Sequence, residues 1–406
     1  MATVGQIHAF VNSLSKQAYG SEAISPMNAN TIVDFGRTTM LSGDNRNAVL
    51  TALNNQIFTT IVAMRLYEDG LDDDILKKVS EYGQIMRKIH MKWDTARVNN
   101  SYNQASQNYV PGSGLFDIYN PDAVERYFEK RDTWEHDGTV YDNQLKSAFV
   151  DETSFSAFVS AHAMAIMNAI RLEMERYIEM VRATLIAVKL NSSKPMAKIN
   201  LVEAYAKEVL GVDLSSTHDA ITYASLKRNQ DFNIFCGTKM KLIKSYMSKP
   251  NVNFNESDGY QKFTPDDKLV VNINQDFAEN IKATLYSQTF HNEFVELPRY
   301  KEKAFWQGVC SDNSAYEFED VTKISVTLND TTGLTSEPTE ITKSGIVALM
   351  YDYDALGVLV ESIDVDTQRN GKDRFTNYFY HVDRGAFIDD WEQAVVFYVE
   401  DIPAVA

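Results

Sequence analysis

The sequence predicts an α+β protein, helical in its earlier part and sheet-forming later, and three observations carry that expectation. Between Thr153 and Lys189 apolar residues recur at helical spacing over an unusual length. After Tyr316 they gather instead in short β-prone runs, Val321 to Leu328, Gly345 to Tyr351, Gly357 to Ile363 and Ala394 to Val399. At 406 residues, 44% hydrophobic and 11% aromatic, the chain exceeds one ordinary core and can fill two or three packed lobes.

Residues 1 to 44 are small and polar with scattered apolar anchors, which predicts an extended arm with one short helix near Ile7 to Leu14. Val49, Leu50, Leu53, Ile57, Ile61, Met64 and Leu66 fall mostly at three- and four-residue steps, predicting a helix over Asn47 to Tyr67. Asp72, Asp73 and Asp74 open a second helical pattern, Ile75, Val79, Tyr82, Ile85, Met86 and Ile89. At a helix N-terminus those carboxylates complement exposed N–H groups and the macrodipole, a better account than a metal site. From Val98 to Gly114 the chain is polar and low in aliphatics, so it cannot supply a core face and reads as a loop or flap.

In Arg131 to Asp142 two β-prone runs flank Asp137-Gly138, the dipeptide favoured by a type I′ turn, and predict an exposed hairpin. A lone hairpin is marginal in water, so Trp134 and Tyr141 must pack on this chain or on a neighbour. Trp134, His136, Asp137, Gly138 and Tyr141 are therefore the candidate inter-subunit contacts.

The long helix follows. Phe155, Phe158, Val159, His162, Ile166, Ala169, Ile170, Met174, Tyr177, Ile178, Val181 and Leu185 form its stripe, with Thr153 or Ser154 as cap. It should run roughly 50 Å at 1.5 Å per residue. Asn191 to Pro195 should stop it, because proline cannot continue the hydrogen-bond ladder. Beyond it, Ile199 to Leu210 and Ser216 to Lys227 read as shorter helices, Phe235 to Met247 as mixed, Lys268 to Asn274 as a strand and Phe277 to Tyr286 as a helix.

The formal net charge of -17 disfavours a protein whose task is gripping phosphate backbones. Lys227-Arg228 and Lys239 to Lys244 are too short for that and read as solvated faces. Cys236 and Cys310 are in no metal-type spacing and form no disulfide framework. The start, MATVGQIHAFVNSL, lacks a secretory pattern, so the chain is expected to stay in the cytoplasm that makes it. Phe155 to Ile170, the most apolar run, is shorter than a bilayer crossing and contains His162 and Asn168.

No phosphate-cradling glycine loop is present. None of the seven histidines shares a helical turn with another, which excludes a zinc-protease pair, and His162 on the apolar stripe reads as a core residue. Asp352-Tyr353-Asp354-Ala355-Leu356-Gly357 resembles the start of a calcium loop, but Leu356 and Ile363 stand where ligands are required. Asp389-Asp390, or Glu317 with Glu319, could be hydrolytic carboxylates, yet 56 acidic residues produce such pairs by chance. No catalytic, metal-binding or cofactor-binding residue is expected.

Asn120-Pro121-Asp122-Ala123-Val124, then Gln144 to Phe149 leading into Phe155-Ser156-Ala157-Phe158, resemble the major capsid proteins of short-tailed bacteriophages, which have the Hong Kong 97-like capsid fold. Tyr177 to Met180, Ala183 to Ile186, Ala348 to Gly357, Asn377 to Phe379 and Ala394 to Phe397 are similar to later parts of that family, while 191 to 345 match least. The resemblance implies an N-terminal arm with first helices (1–70), a peripheral-domain helix (71–97), an extended loop with hairpin (98–152) and a spine helix (153–190). An axial domain (191–375) and the closing strand of the peripheral domain (376–406) complete it. It further implies self-assembly into pentamers and hexamers of an icosahedral head around double-stranded DNA, with scaffolding and portal proteins as partners and no membrane. The lysine, asparagine and glutamate of the crosslinking branch have no match here, so noncovalent shells are expected, without an added terminal immunoglobulin-like domain. Another virion part, such as a portal or tail component, is the alternative, and a carboxylate-dependent hydrolase a remoter one. The spine's stripe is expected to pack the closing strand Ala394 to Val399.

Overall fold

The computed structural model describes residues 75–78, 86–92, 122–128, 131–148, 152–257, 259–286, 299–307, 320–328 and 339–405. The expected arm (1–44), the helix over 47–67, the acidic cap at 72–74 and the loop over 98–114 lie outside them. The described chain divides into two units.

The first unit draws on residues 131–178 and 358–385 together with strand β1 (Leu76–Lys78). Its sheet has the order β1-β11-β12-β4, where β4 is Arg131–Tyr141, β11 is Leu356–Asn370 and β12 is Phe375–Ile388. Burial on β12 alternates with the period of a half-covered strand: Thr376, Tyr378, Tyr380, Val382 and Arg384 are buried and the residues between them are partly exposed. Helix α1 (Asp142–Ala148) leads from β4 toward α2 (Glu152–Leu190).

Helix α2 is the predicted long helix, one residue longer at each end than the expected Thr153 to Lys189. Thr153 and Ser154 therefore lie in its first turn and not before it. Ile166, Ile170, Met174, Tyr177 and Ile178 are buried at helical steps, as the sequence pattern requires. From Val181 to Lys189 burial extends nearly all round the helix, taking in Arg182, Ala183, Leu185, Ile186, Ala187 and Lys189. Residues through Ile178 group with the first unit and those from Glu179 with the second.

The second unit comprises the described parts of 83–130, 179–357 and 386–406. Its central sheet has the order β5-β13-β10-β6-β7: β5 is Lys198–Asn200, β13 Ala394–Tyr398, β10 Ile346–Asp352, β6 Leu269–Asn274 and β7 Lys301–Lys303. Helices α3 (Leu201–Glu208), α4 (Tyr223–Leu226), α5 (Gln230–Met247) and α6 (Gln275–Tyr286) complete it. Asn200 caps α3 by accepting from the N–H of Val202, and Asn229 caps α5 by accepting from those of Asp231 and Phe232. Tyr205, Phe232, Cys236, Met240, Phe277 and Ile281 pack with Val347, Val395 and Phe397 into one apolar cluster. Burial pushes the Cys236 thiol far above its ordinary range, which keeps it inert. Gly345, at φ +81°, receives the N–H of Val399 on its carbonyl, and a Cβ there would collide with the Val399 carbonyl oxygen. Two small antiparallel sheets stand apart: β2 (Met86–Met91) with β3 (Ala123–Phe128), and β8 (Ile324–Leu328) with β9 (Thr339–Lys343).

Three expectations need correction. Where 71–97 is described, the predicted helix is replaced by two strands, because Leu76–Lys78 joins β11 and Met86–Met91 joins β3. The hairpin at Arg131 to Asp142 is one continuous strand that makes eleven register pairs with β12, from Tyr141 with Phe375 to Arg131 with Gly385, so Asp137-Gly138 makes no turn. Ser216 to Lys227 holds only the short α4, whereas Phe235 to Met247 lies within the regular α5. The closing strand is the β13 of the second unit, and Val395 and Phe397 lie in its α3–α5–α6 cluster.

Candidate functional site

The five residues singled out on β4 fall on two faces. Trp134, His136 and Gly138 lie opposite the buried Val382, Tyr380 and Tyr378 of β12, and so share the covered face of the sheet. Asp137 and Tyr141 lie on the other face, where the cross-strand contacts are polar or aromatic. On that face Thr133 Oγ1 donates to Asp383 at 2.7 Å, Thr139 Oγ1 to Asn377 at 2.8 Å, and the Tyr141 and Phe375 rings stand 5.8 Å apart. Among the described residues no strand pairs with the far edge of β4, and Trp134 and Tyr141 remain 41% and 50% exposed.

Trp134 is fastened by a residue the sequence reading did not single out. The Arg384 guanidinium lies between two rings, 4.1 Å from the centroid of Trp134 and 4.0 Å from that of Tyr177, and donates to Glu173 Oε1 at 3.1 Å. Arg384 is only 1% exposed, so its charge is satisfied by this carboxylate and the two π faces. Glu173 and Tyr177 are four residues apart on α2 and therefore neighbours on its surface.

A second group of charges holds the β2–β3 ribbon within the second unit. One face of the ribbon presents Lys88, His90 and Arg126 to the segment Asp389 to Glu392. Lys88 Nζ lies 2.7 Å from Asp389 Oδ2, 3.0 Å from Glu392 Oε1 and 2.8 Å from the Asp354 carbonyl. Arg126 Nη1 donates to Asp389 Oδ1 at 2.7 Å and to Asp390 Oδ1 at 2.5 Å. Lys262 Nζ lies 2.7 Å from His90 Nδ1 and 3.1 Å from Glu392 Oε1, and His90 Nε2 is 3.1 Å from Asp389 Oδ2. The Trp391 ring covers the group, with centroids 5.2 Å from His90 and 5.0 Å from Tyr260.

Burial alone would raise the Asp389 carboxyl, but the His90 contact and the Lys88 ammonium outweigh it and hold the group well below the usual carboxylate range. Nearby, Lys189 at the end of α2 donates to the carbonyls of Phe254, Asp390 and Glu392. Burial pulls its pKa down to about 8 against the opposing pull of Asp390, Glu256, Asp389 and Glu392. His90, Asp389 and Glu392 are ligand-type side chains brought within 4.8 Å of one another. The ammonium groups of Lys88 and Lys262 fill the space between them, so the arrangement is an internal ion network and not a metal centre. The opposite face of the ribbon leaves Ile89, Met91 and Tyr127 more than half exposed.

Neither group offers chemistry. The Arg384 guanidinium is held by Glu173 and two rings, and the Asp389 carboxylate, held well below the usual carboxylate range, meets two cationic groups, Lys88 and Arg126, and the His90 ring.

Similarity to known proteins agrees with a structural role. No curated protein sequence matches the chain. Among solved structures, the capsid of Staphylococcus phage Andhra is similar at a TM-score of 0.50 and 11% identity, covering 80% of this chain and 83% of that one. The structure of the head fiber and inner core protein of native bacteriophage P68 gives a TM-score of 0.46 at 12% identity, covering 82% and 87%. The capsid of the Cyanophage P-SCSP1u gives 0.44 at 10%, covering 83% and 94%. The fold is the Hong Kong 97-like capsid fold, as the sequence resemblance implied. The family model of the Phi29-like phage major capsid protein matches residues 7–398, nearly the whole chain. This chain therefore belongs to the Phi29-like phage major capsid proteins, a structural, non-enzymatic component of the virion that forms the phage head.

Proposed function

We propose that copies of this chain close noncovalently into an icosahedral shell of pentamers and hexamers around double-stranded DNA, with scaffolding and portal proteins as assembly partners. The family match over residues 7–398 is the observation that carries this reading. The net charge of -17 supports it, because an acidic wall does not adhere to packaged DNA.

In this reading the arm (1–70) runs along one neighbour and the extended segment (98–152) lies over another. The spine (153–190) and the β11–β12 sheet form the peripheral part, and the β5-β13-β10-β6-β7 sheet with its helices forms the axial part. The pairing of β13 with β5 and β10 favours grouping residues 386–406 with the axial part. The far edge of β4, with Trp134 and Tyr141 exposed, supports a contact with a neighbouring copy in which His136, Asp137 and Gly138 take part.

Electron microscopy of the expressed protein, alone and with the products of neighbouring genes, tests this. Closed shells are the expected result. Isolated rings of about a dozen subunits, as in a portal, or a persistent monomer under all conditions, would overturn it.

A further inference from the structure

We infer that the solvent-facing side of helix α5 is a contact between copies of this chain, made head-to-tail against an acidic face of the next copy. The inference rests on the shell reading above and names one surface that serves it. Helix α5 carries two stripes. Phe232, Cys236, Met240, Ile243 and Met247 are buried in the apolar cluster and hold the helix in the second unit. Phe235, Lys239, Leu242 and Tyr246 recur at steps of four, three and four, and so line up along another side of the same helix. On that side Leu242 is 40% and Tyr246 44% exposed.

Neighbouring elements extend the exposed stripe at both ends. At the C-terminal end, Thr264 donates its N–H to the Met247 carbonyl and Asn251 exchanges backbone bonds with Lys262, which places the exposed Phe263 beside the last turn. Toward the N-terminal end, the Lys239 ammonium stands 6.0 Å from the centroid of Phe235 and pairs with Glu208, immediately before the half-exposed Val209 and Leu210. A single exposed apolar side chain is ordinary. A row of them on a helix whose other stripe already supplies its core contacts marks a surface shaped for a partner.

Charge identifies the partner. Lys239, Lys241 and Lys244 lie on α5 and Lys249 just beyond it, against the single acidic residue Asp231. Lys239 is answered by Glu208 and Lys244 by Asp266 at 3.1 Å, whereas Lys241 and Lys249 are exposed and form no ion pair among the described residues. Two lysines are too few to hold a phosphate backbone. They do complement a protein surface rich in carboxylates, and a chain with 56 acidic and 39 basic residues offers that surface on its own copies. A two-fold contact would set this basic strip against itself, lysine facing lysine. The strip therefore meets a different face of the next copy, and head-to-tail contacts of that kind close into rings.

A photo-crosslinking amino acid placed at Tyr246 of the full-length chain, followed by mass spectrometry of the products, tests the contact. The expected product is a dimer of this chain joined to a peptide with more Asp and Glu than Lys and Arg. A crosslink to α5 of the other copy overturns the head-to-tail arrangement. Crosslinks confined to one chain, made to a different protein, or missing from closed shells overturn the contact itself. The double variant Leu242→Ser with Tyr246→Ser gives a second measurement, since neither side chain belongs to the core and the denaturant midpoint should not move. It should raise the protein concentration needed for shell formation on the order of tenfold or more. Shells that form as readily as those of the wild type refute the proposal and leave the shell reading intact. Should the wild type form no shells, crosslinked dimers still support the contact while the shell reading falls, and a chain that stays monomeric overturns both.

Discussion

Strand β4 and the β2–β3 ribbon both stand at the margin of their units, and they are fastened by opposite means. β4 is bonded along its length to β12 and adds one side-chain lock, Arg384 between Trp134 and Tyr177. The ribbon shares no ladder with another described sheet, and its attachment is concentrated in charged side chains converging on Asp389, Asp390 and Glu392. A ladder spreads its energy over many small bonds and tolerates the loss of one contact. A buried ion network is cooperative, and removing one member leaves the others desolvated and unpaired.

Asp389→Asn should give the largest effect, because Lys88, Arg126 and His90 all meet that carboxylate. We expect a loss of about 3–5 kcal/mol at neutral pH, read by denaturant unfolding, with exchange protection lost first in 86–91 and 123–128. A uniform loss across both units would contradict the view that the ribbon is separately fastened. Arg384→Met should cost less, about 2 kcal/mol, since β4 keeps its ladder to β12 while the Glu173 carboxylate is uncovered. If this variant strips β4 from its sheet in exchange measurements, the ladder is not what holds the strand.

Acid titration sharpens the contrast further. The Asp389 carboxyl in the folded chain lies below its value of about 3.9 in an unfolded one. Its stabilisation is therefore present above that ordinary value and is lost as pH falls through the folded one. Stability between about pH 4 and pH 2 should drop less steeply in Asp389→Asn than in the wild type, and parallel curves would show that Asp389 is not a principal acid-sensitive group. Trp134→Ala should have the smallest effect on the isolated chain, about 1 kcal/mol, because the ring is partly solvated already. Its main effect belongs in assembly, where fewer closed particles should be counted by electron microscopy if β4 meets a neighbour.

The two regions also differ in how far they could be read in advance. The long helix was legible because Ile166, Ile170, Met174 and Tyr177 carry its period within a few turns of chain. The late strands were legible for the same reason, and β6, β10 and β13 lie within a residue or two of their expected places. The two strands within 71–97 were not: Ile75, Val79, Tyr82, Ile85 and Ile89 imitate a helical stripe, while the partners that make strands of Leu76 and Met86 lie at Val358 and Phe128. Asp137-Gly138 misled in the opposite direction, since a local turn preference yields to a ladder that satisfies the backbone along the whole of β4. Arg384, His90 and Asp389 carried no local signal, because each acquires its role only from a residue more than a hundred positions away.

What the sequence determined by itself was what repeats locally or accumulates over the chain: the α+β class, the long helix with its end near Pro195, the later strands, the acidic balance and the likeness to phage capsid proteins. Periodicity and composition are properties of neighbouring residues and of sums, so no partner is needed to read them. Tertiary structure alone decided that 131–141 is one strand on β12, that the closing strand belongs to the second unit, and that Lys88, His90 and Arg126 meet Asp389. Those outcomes depend on which distant backbone edge or buried charge must be satisfied, and that requirement exists only once the chain has folded.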